Sequence, residues 1–263
     1  MIPKPFIAKW KDQSPWGTNE QAEQDLIISR ALVEIFSDDF LKENLAFRGG
    51  TALHKLYLFP ASRYSEDIDM VQIKAGPIKP VLQRIGKCIT FFEERRVVKS
   101  KANNNTILYR FNSEYSPAIR LSLKIEINCR EHFNVLGWKI FPYEVKNDWF
   151  SGKADITTYY IDELLGTKLR ALYQRSKGRD LFDLYYANAN LKLDYEKLLE
   201  CYNAYMHFVV DKPPSKKKFL ANLAEKQLNP DFIGDLEGLL RPEIQYDQDR
   251  AFEWVTQLIE KIK

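Results

Sequence analysis

Cysteine and histidine are scarce. Only three of each occur among 263 residues: Cys88, Cys129 and Cys201, and His54, His132 and His207. They are scattered and form no CxxC or other ligand spacing, which argues against a disulfide framework, a His/Cys metal centre and a Ser–His–Asp triad. Long apolar runs are missing too. No stretch approaches the roughly 20 residues of a membrane span, which excludes a helical integral membrane protein. The first twenty residues mix Lys4, Lys9, Lys11 and Asp12 with proline and lack the apolar centre of a secretory signal, so a cytoplasmic location is expected. There is little excess charge of either sign. A net charge of +3 does not by itself call for a nucleic-acid partner, but it lets local basic patches act. Neither internal repeats nor low-complexity tracts occur.

What is present is ordinary for a folded domain. Apolar residues make up 45% and aromatics 13% of the chain, enough to exclude intrinsic disorder and to supply one large core or two smaller ones. Helical spacing of Leu26, Ile27, Leu32, Ile35 and Phe36 predicts a helix over 19–40. Leu45-Ala46-Phe47, then Gly49-Gly50, then Thr51-Ala52-Leu53 reads as strand, glycine turn and helix. Residues 67–73 alternate and read as a half-buried strand, residues 77–95 as a helix with proline in its first turn. Two further strands are expected over 106–111 and 119–128. In the second, Ile119, Leu121, Leu123, Ile125 and Ile127 share one face, with Arg120, Ser122, Lys124, Glu126 and Asn128 on the other. Such a strand belongs to a sheet covered on one side, with a ligand able to use the open side. Beyond Gly152 helical patterns dominate: 162–175, 179–189, 195–207, 215–227 and 249–262. The expected class is α+β, with an α+β domain over 1–150 and a helical domain over 151–263.

The most informative stretch is Phe47-Arg48-Gly49-Gly50-Thr51-Ala52-Leu53 followed by Arg63-Tyr64-Ser65-Glu66-Asp67-Ile68-Asp69. Two glycines before a helix let backbone N–H groups approach an anion. Asp67 and Asp69 lie two apart on a strand, so their carboxylates project from one face and repel unless a divalent cation bridges them. Mg²⁺ suits such a set, because it takes a few carboxylate oxygens together with phosphate oxygens. Glu126, on the polar face of the long strand, is the third candidate. Each piece alone is commonplace: a DxD on a surface strand, a turn, a solvated glutamate. Together they form the set that phosphoryl or nucleotidyl transfer needs, a phosphate cradle beside carboxylate-held metal ions.

Gly49-Gly50-Thr51-Ala52-Leu53 with Arg63-x-Ser65-x-Asp67-x-Asp69 resembles the AbiEii/AbiGii toxin family of nucleotidyltransferases. So do Leu164-Leu165-Gly166-Thr167-Lys168-Leu169-Arg170-Ala171-Leu172 and Gly178-Arg179-Asp180-Leu181-Phe182-Asp183. The motifs span residues 47 to 186. The resemblance implies a polymerase-β-like nucleotidyltransferase domain with a mixed sheet, then a helical domain that completes the active-site cleft. It also implies a toxin–antitoxin or phage-defence role, a cognate antitoxin, an NTP substrate and, for some members, transfer to the 3′ end of tRNA. Carried over, Gly49, Gly50, Thr51, Arg63 and Ser65 would bind the nucleotide, Asp67 and Asp69 would hold Mg²⁺, and Glu126 would match the third acidic position. Lys168 would neutralise phosphate charge. Asp180 or Asp183 would be the acidic residue that follows it, with Asp180 favoured because it directly follows Arg179 and Asp183 assigned to the nucleotide. Two departures stand out: threonine at position 51 where polymerase-β-like enzymes more often carry serine, and a long interval to Asp67.

Plainer uses exist for several of these residues. Arg48 and Arg63 could pair with Asp67 or Glu66. His54, one turn after Thr51, suits packing, and Phe182, Tyr185 and Tyr186 suit a helix core. Asp180 and Asp183, three apart, could form surface ion pairs of small value. Arg84, Lys87, Arg95, Arg96, Lys99 and Lys101, and separately Lys212, Lys216, Lys217 and Lys218, are by default solvated faces but could guide an RNA backbone. Two competing functions share the same residues: γ-phosphoryl transfer to a protein or nucleotide, and nucleotide or RNA binding without turnover.

Overall fold

The computed structural model describes residues 2–14, 16–210 and 212–262. They divide into two compact units, one of residues up to 133 plus 138–159, the other of residues 134–137 plus 160 onward. Among the described residues no helix is long and apolar enough to cross a membrane.

The first unit opens with α1 (Lys4–Gln13) and α2 (Asn19–Phe36). Helix α2 is buried almost throughout, and Thr18 and Gln21 close a reciprocal capping box at its start. The periodicity predicts one helix to residue 40, but Asp38 accepts a hydrogen bond from the Leu41 N–H (3.0 Å) and caps a separate α3 (Asp39–Asn44). Then come β1 (Leu45–Arg48), α4 (Gly49–Ala52) running into a π-turn over Leu53–Tyr57, β2 (Asp67–Gln72) and α5 (Lys79–Cys88). The helix expected over 77–95 stops at Cys88. Beyond it Phe91 and Phe92 turn into an aromatic cluster with Tyr109, Phe111 and Trp149, under the Arg30 guanidinium. Burial of large aromatic surface outweighs helical propensity there.

Five more strands complete the sheet: β3 (Val97–Lys101), β4 (Asn104–Asn112), β5 (Arg120–Asn128), β6 (Trp138–Lys146) and β7 (Ser151–Tyr159). The order is β3-β4-β5-β2-β1-β7-β6, with β2–β5 and β1–β7 parallel and the other pairs antiparallel, so the sheet is mixed. The boundary expected near residue 150 therefore moves to Tyr159–Tyr160, because β7 belongs to the sheet. The alternation of β5 is as read from the sequence over its second half only: Ile119, ahead of the strand, is exposed and Leu121 is half-buried, whereas Leu123, Ile125 and Ile127 are fully buried. On β2, Ile68 and Met70 join them in the core. Each such side chain contributes roughly 1.5–3 kcal/mol by burial.

The second unit holds α6 (Ile161–Gln174), α7 (Gly178–Asn190), α8 (Tyr195–Val209), α9 (Lys216–Gln227), α10 (Pro230–Ile233) and α11 (Gln248–Glu260). Helices α6 and α8 touch at Gly166, where a side chain would lie 2.7 Å from Cys201 Cβ and 2.9 Å from the Leu198 carbonyl. Buried Glu163 explains why residues 134–137 join this unit: its carboxylate accepts the N–H groups of Val135 (2.8 Å) and Leu136 (2.9 Å) and the Tyr205 hydroxyl (2.8 Å). Buried Lys226 donates to the Leu172 and Tyr173 carbonyls and so caps the end of α6. Burial pulls its ammonium down to about 8.

One buried acid on α2 makes stability depend on pH. Glu23 is fully buried and its carboxylate accepts the Glu114 N–H (3.0 Å), and burial pushes its carboxyl up to about 7. Between pH 4.5 and about 7 the folded chain holds this proton and the unfolded chain does not, so stability is fullest below that window and falls as pH rises through it. Glu23→Gln, which is neutral at every pH, is expected to flatten the decline. At pH 8 it should gain up to about 3 kcal/mol over wild type, measured by denaturant unfolding at pH 5 and pH 8. Parallel pH profiles for the two proteins would contradict it.

Candidate functional site

The pairing of β2 with β5 places Asp67 opposite Lys124 and Asp69 opposite Glu126. Cα partners in a ladder point to the same side, and residues two apart share a face. All four side chains thus stand on the face opposite the buried Ile68, Met70, Ile125 and Ile127. All four are half-buried. The Lys124 ammonium lies 3.1 Å from Asp67 Oδ2 and 2.9 Å from Glu126 Oε1. Burial would lower its proton affinity, but the hydrogen bonds to Glu126 and Asp67 outweigh that and hold it above the ordinary lysine range. The row carries three carboxylates and one ammonium, a surplus of negative charge.

Gly49 begins α4 in the left-handed region (φ +80°), and a Cβ there would lie 2.3 Å from Asp69 Oδ2. Only glycine lets the chain turn so close against this carboxylate. Thr51 is buried and donates its hydroxyl to the Asp67 carbonyl, while its oxygen lies 2.8 Å from Ser65 Oγ. With the threonine proton committed to that carbonyl, the serine is the donor between the two hydroxyls. The Thr51 side chain therefore ties the glycine turn to the start of β2.

Arg63 is also buried. Its guanidinium occupies the space where a side chain at position 50 would go and donates to the Tyr64 carbonyl (3.0 Å). It braces the loop from within. Arg48 pairs with Glu131 at 2.5 Å. His54 is buried with Nδ1 3.3 Å from Ser62 Oγ, a packing role.

Among the described residues no three His, Cys, Asp or Glu side chains converge into a metal-binding cluster. Asp67, Asp69 and Glu126 form a row, not a cage. The donor chemistry still fits Mg²⁺, which is held by one or two carboxylates and completes its shell with water and phosphate oxygens. The half-buried row is open to such groups.

The second expected cluster lies within the helical unit. Lys168 Nζ is 3.0 Å from Asp180 Oδ1 and 2.7 Å from Asp183 Oδ2, and both aspartates are fully buried. Arg175 donates to both oxygens of Asp180, at 2.7 and 2.8 Å. Burial raises the Asp180 carboxyl, but the Lys168 charge and the Arg175 bonds more than reverse this and hold it below the usual range. These aspartates are not surface ion pairs. Arg175 was not legible as a partner, because its contact depends on the turn between α6 and α7. Phe182 stacks on Tyr186 (5.3 Å) and meets Tyr246 (5.1 Å), as a helix core does. Of the basic patches, Arg84 pairs with Asp38, Lys216 caps the Glu260 carbonyl, and Lys99 and Lys101 lie exposed on the outer strand β3, where lysines blunt a free edge.

Solved structures share this architecture. MenT4, a nucleotidyltransferase toxin from Mycobacterium tuberculosis, matches with a TM-score of 0.65 at 14% identity, covering 100% of this chain and 91% of its own. A putative nucleotidyltransferase from Helicobacter pylori gives 0.58 at 20% identity, with 92% and 95% covered. JHP933 from the same species gives 0.55 at 17%, with 93% and 92% covered. The fold is that of these proteins. Residues 30–257 match the family described as nucleotidyl transferase AbiEii toxin, type IV TA system. The chain belongs to this family, and is a nucleotidyltransferase of the type IV toxin–antitoxin class. A comparison with curated proteins gives no match.

The Lys168 network has a direct consequence for stability. Lys168→Met removes the ammonium that two buried carboxylates share and is expected to cost about 3–5 kcal/mol in denaturant unfolding. Adding Asp183→Asn should recover part of that loss. A single variant within 1 kcal/mol of wild type, on the order of a surface pair, would show the network to be energetically idle.

Proposed function

We propose that this toxin transfers a nucleoside monophosphate from an NTP to an RNA acceptor, the 3′ end of a tRNA, at the Asp67–Asp69–Glu126 row. The observation that carries the reading is the row itself: three half-buried carboxylates on one sheet face, abutted by a glycine turn at the start of a helix. Asp67 and Asp69 would hold Mg²⁺, with Glu126 as the third carboxylate. When bound, the ion supplies charge neutralisation at the phosphates and a template for in-line displacement. Gly49 and Gly50 orient the triphosphate through backbone N–H groups, and the Ser65 hydroxyl turns from Thr51 to the phosphate when the nucleotide binds, with Thr51 and Arg63 fixing that loop from beneath. The acceptor hydroxyl oxygen bonds to the α-phosphorus, the bond to the β-phosphate breaks, pyrophosphate departs and the hydroxyl proton passes to solvent.

Positioning and electrostatics suffice for such a reaction, so no activated side-chain nucleophile is needed. Lys168 with Asp180 and Asp183 forms the second set of residues that activity requires. The acceptor puts the protein's action in the cytoplasm, and membership of a type IV system supports a cognate antitoxin and a defence role against phage.

Purified protein incubated with Mg²⁺, tRNA and each α-labelled NTP is expected to label the tRNA 3′ end. Asp67→Asn should lower the rate by at least about 10³-fold, the scale of losing a preorganised electrostatic group, while its circular dichroism matches wild type. Full labelling by the variant would overturn the reading.

A further inference from the structure

Strands β3 and β4 contain Lys99, Lys101 and Arg110 and no aspartate or glutamate. The strand register sets these three on the face of the carboxylate row. Asp69 pairs with Glu126, Glu126 with Thr106 and Thr106 with Lys99, and directly paired residues point to the same side. Lys101, two residues along β3, and Arg110, on β4 opposite Ser122, share that face. All three side chains are exposed. Neither lysine ammonium has a hydrogen bond or an ion pair among the described residues. Arg110 acts on Glu94 through space, and that carboxylate is already bonded by Arg120. Edge protection does not require this arrangement: a lysine blunts an outer strand from either face, and Arg110 lies on the inner strand β4.

Strand order gives the two halves of the site opposite ends. The glycine turn follows β1, on one side of β2, and the basic strands lie beyond β5, on the other. Each strand step is about 4.8 Å, so Lys99 stands roughly 10 Å past Glu126. In-line transfer puts the attacking and leaving oxygens on opposite sides of the phosphorus. With pyrophosphate leaving toward the glycine turn, the acceptor hydroxyl arrives from the β5 side, and the chain that carries it lies over β4 and β3. The row, with its surplus negative charge, repels an RNA backbone, so the acceptor needs cations beside it. We propose that Lys99, Lys101 and Arg110 form a docking track for the acceptor's backbone phosphates, along which the RNA crosses the sheet from β3 toward Asp69. This inference rests on the nucleotidyl-transfer reading of the row and deepens it. Phosphate contacts of this kind fix position and carry no sequence information.

The test uses the full chain, a tRNA pool and an α-labelled NTP, over a range of KCl concentrations. Lys99→Gln/Lys101→Gln/Arg110→Gln is expected to raise the KM for tRNA at least about tenfold. It should also lower the slope of log affinity against log salt by about 2, since each single-strand phosphate contact contributes roughly 0.7. The KM for NTP and the denaturant midpoint should stay at their wild-type values. Lys99→Arg/Lys101→Arg keeps the charge and should keep the tRNA affinity. Lys212→Gln/Lys217→Gln/Lys218→Gln removes the same charge from the helical unit and should leave the KM for tRNA unchanged. Wild-type KM and salt slope in the first triple variant, or equal losses in both triples, would overturn the track while leaving nucleotidyl transfer standing. Aggregation of the first triple with unchanged tRNA affinity would assign the lysines to edge protection instead. A wild-type protein that labels no RNA would remove the acceptor reading on which the track rests.

Discussion

Like charges side by side on neighbouring strands repel, and the sheet holds Asp67, Asp69 and Glu126 together because the reverse face of the same strands is locked in the core. Ile68, Met70, Ile125 and Ile127 alternate with the charged residues and are almost wholly buried. A slip of one residue between β2 and β5 would turn the carboxylates inward and the isoleucines outward, so the register of the site and the register of the core are one constraint. The glycine turn depends on it as well. With the Asp69 carboxylate standing where it does, position 49 has no room for a side chain, and Thr51 fastens that turn to the first residue of β2. Lys124 completes the arrangement by setting a cation among the carboxylates.

The helical unit meets the same electrostatic problem by another route. Asp180 and Asp183 are fully buried, where an uncompensated carboxylate is costly, and Lys168 and Arg175 supply two positive charges for two negative ones. The sheet row keeps surplus negative charge and partial exposure, while the helical cluster is balanced and closed. An open, unbalanced set is suited to recruit cations and phosphate, and a balanced, buried one to hold side chains in fixed orientation. Glu163 and Lys226 extend the second pattern, each meeting backbone groups at the ends of segments that would otherwise leave them unpaired.

Local features were legible in the sequence. The alternation of β5, the glycine turn, the spacing of Asp67 and Asp69 and most helix bodies follow from periodicities that a strand or helix imposes on its own. Strands β6 and β7 were not. Pro142 interrupts the first, which its place at the sheet edge permits, and Lys153 and Asp155 give the second a polar texture outside its buried end. Helix ends went astray where tertiary contacts decide: Asp38 begins a new helix at a cap, and Phe91 and Phe92 leave one for an aromatic cluster. At the site, the residue types were readable but their partners were not. Lys124 sits on the same predicted face as Glu126, yet its bond to Asp67 follows from a strand pairing between residues 57 apart. Thr51 and Arg63 were expected beside the nucleotide from the family resemblance; their burial and their bonds to the Asp67 and Tyr64 carbonyls could not be read from the motif.

The chemistry assigned to the row is tested most directly by the identity of the product released during turnover. With tRNA and the preferred NTP, phosphorus NMR of the reaction is expected to show pyrophosphate appearing in step with nucleotide added to the RNA, with Asp69→Asn releasing none. Release of a nucleoside diphosphate instead, or pyrophosphate undiminished in that variant, would contradict nucleotidyl transfer at these carboxylates.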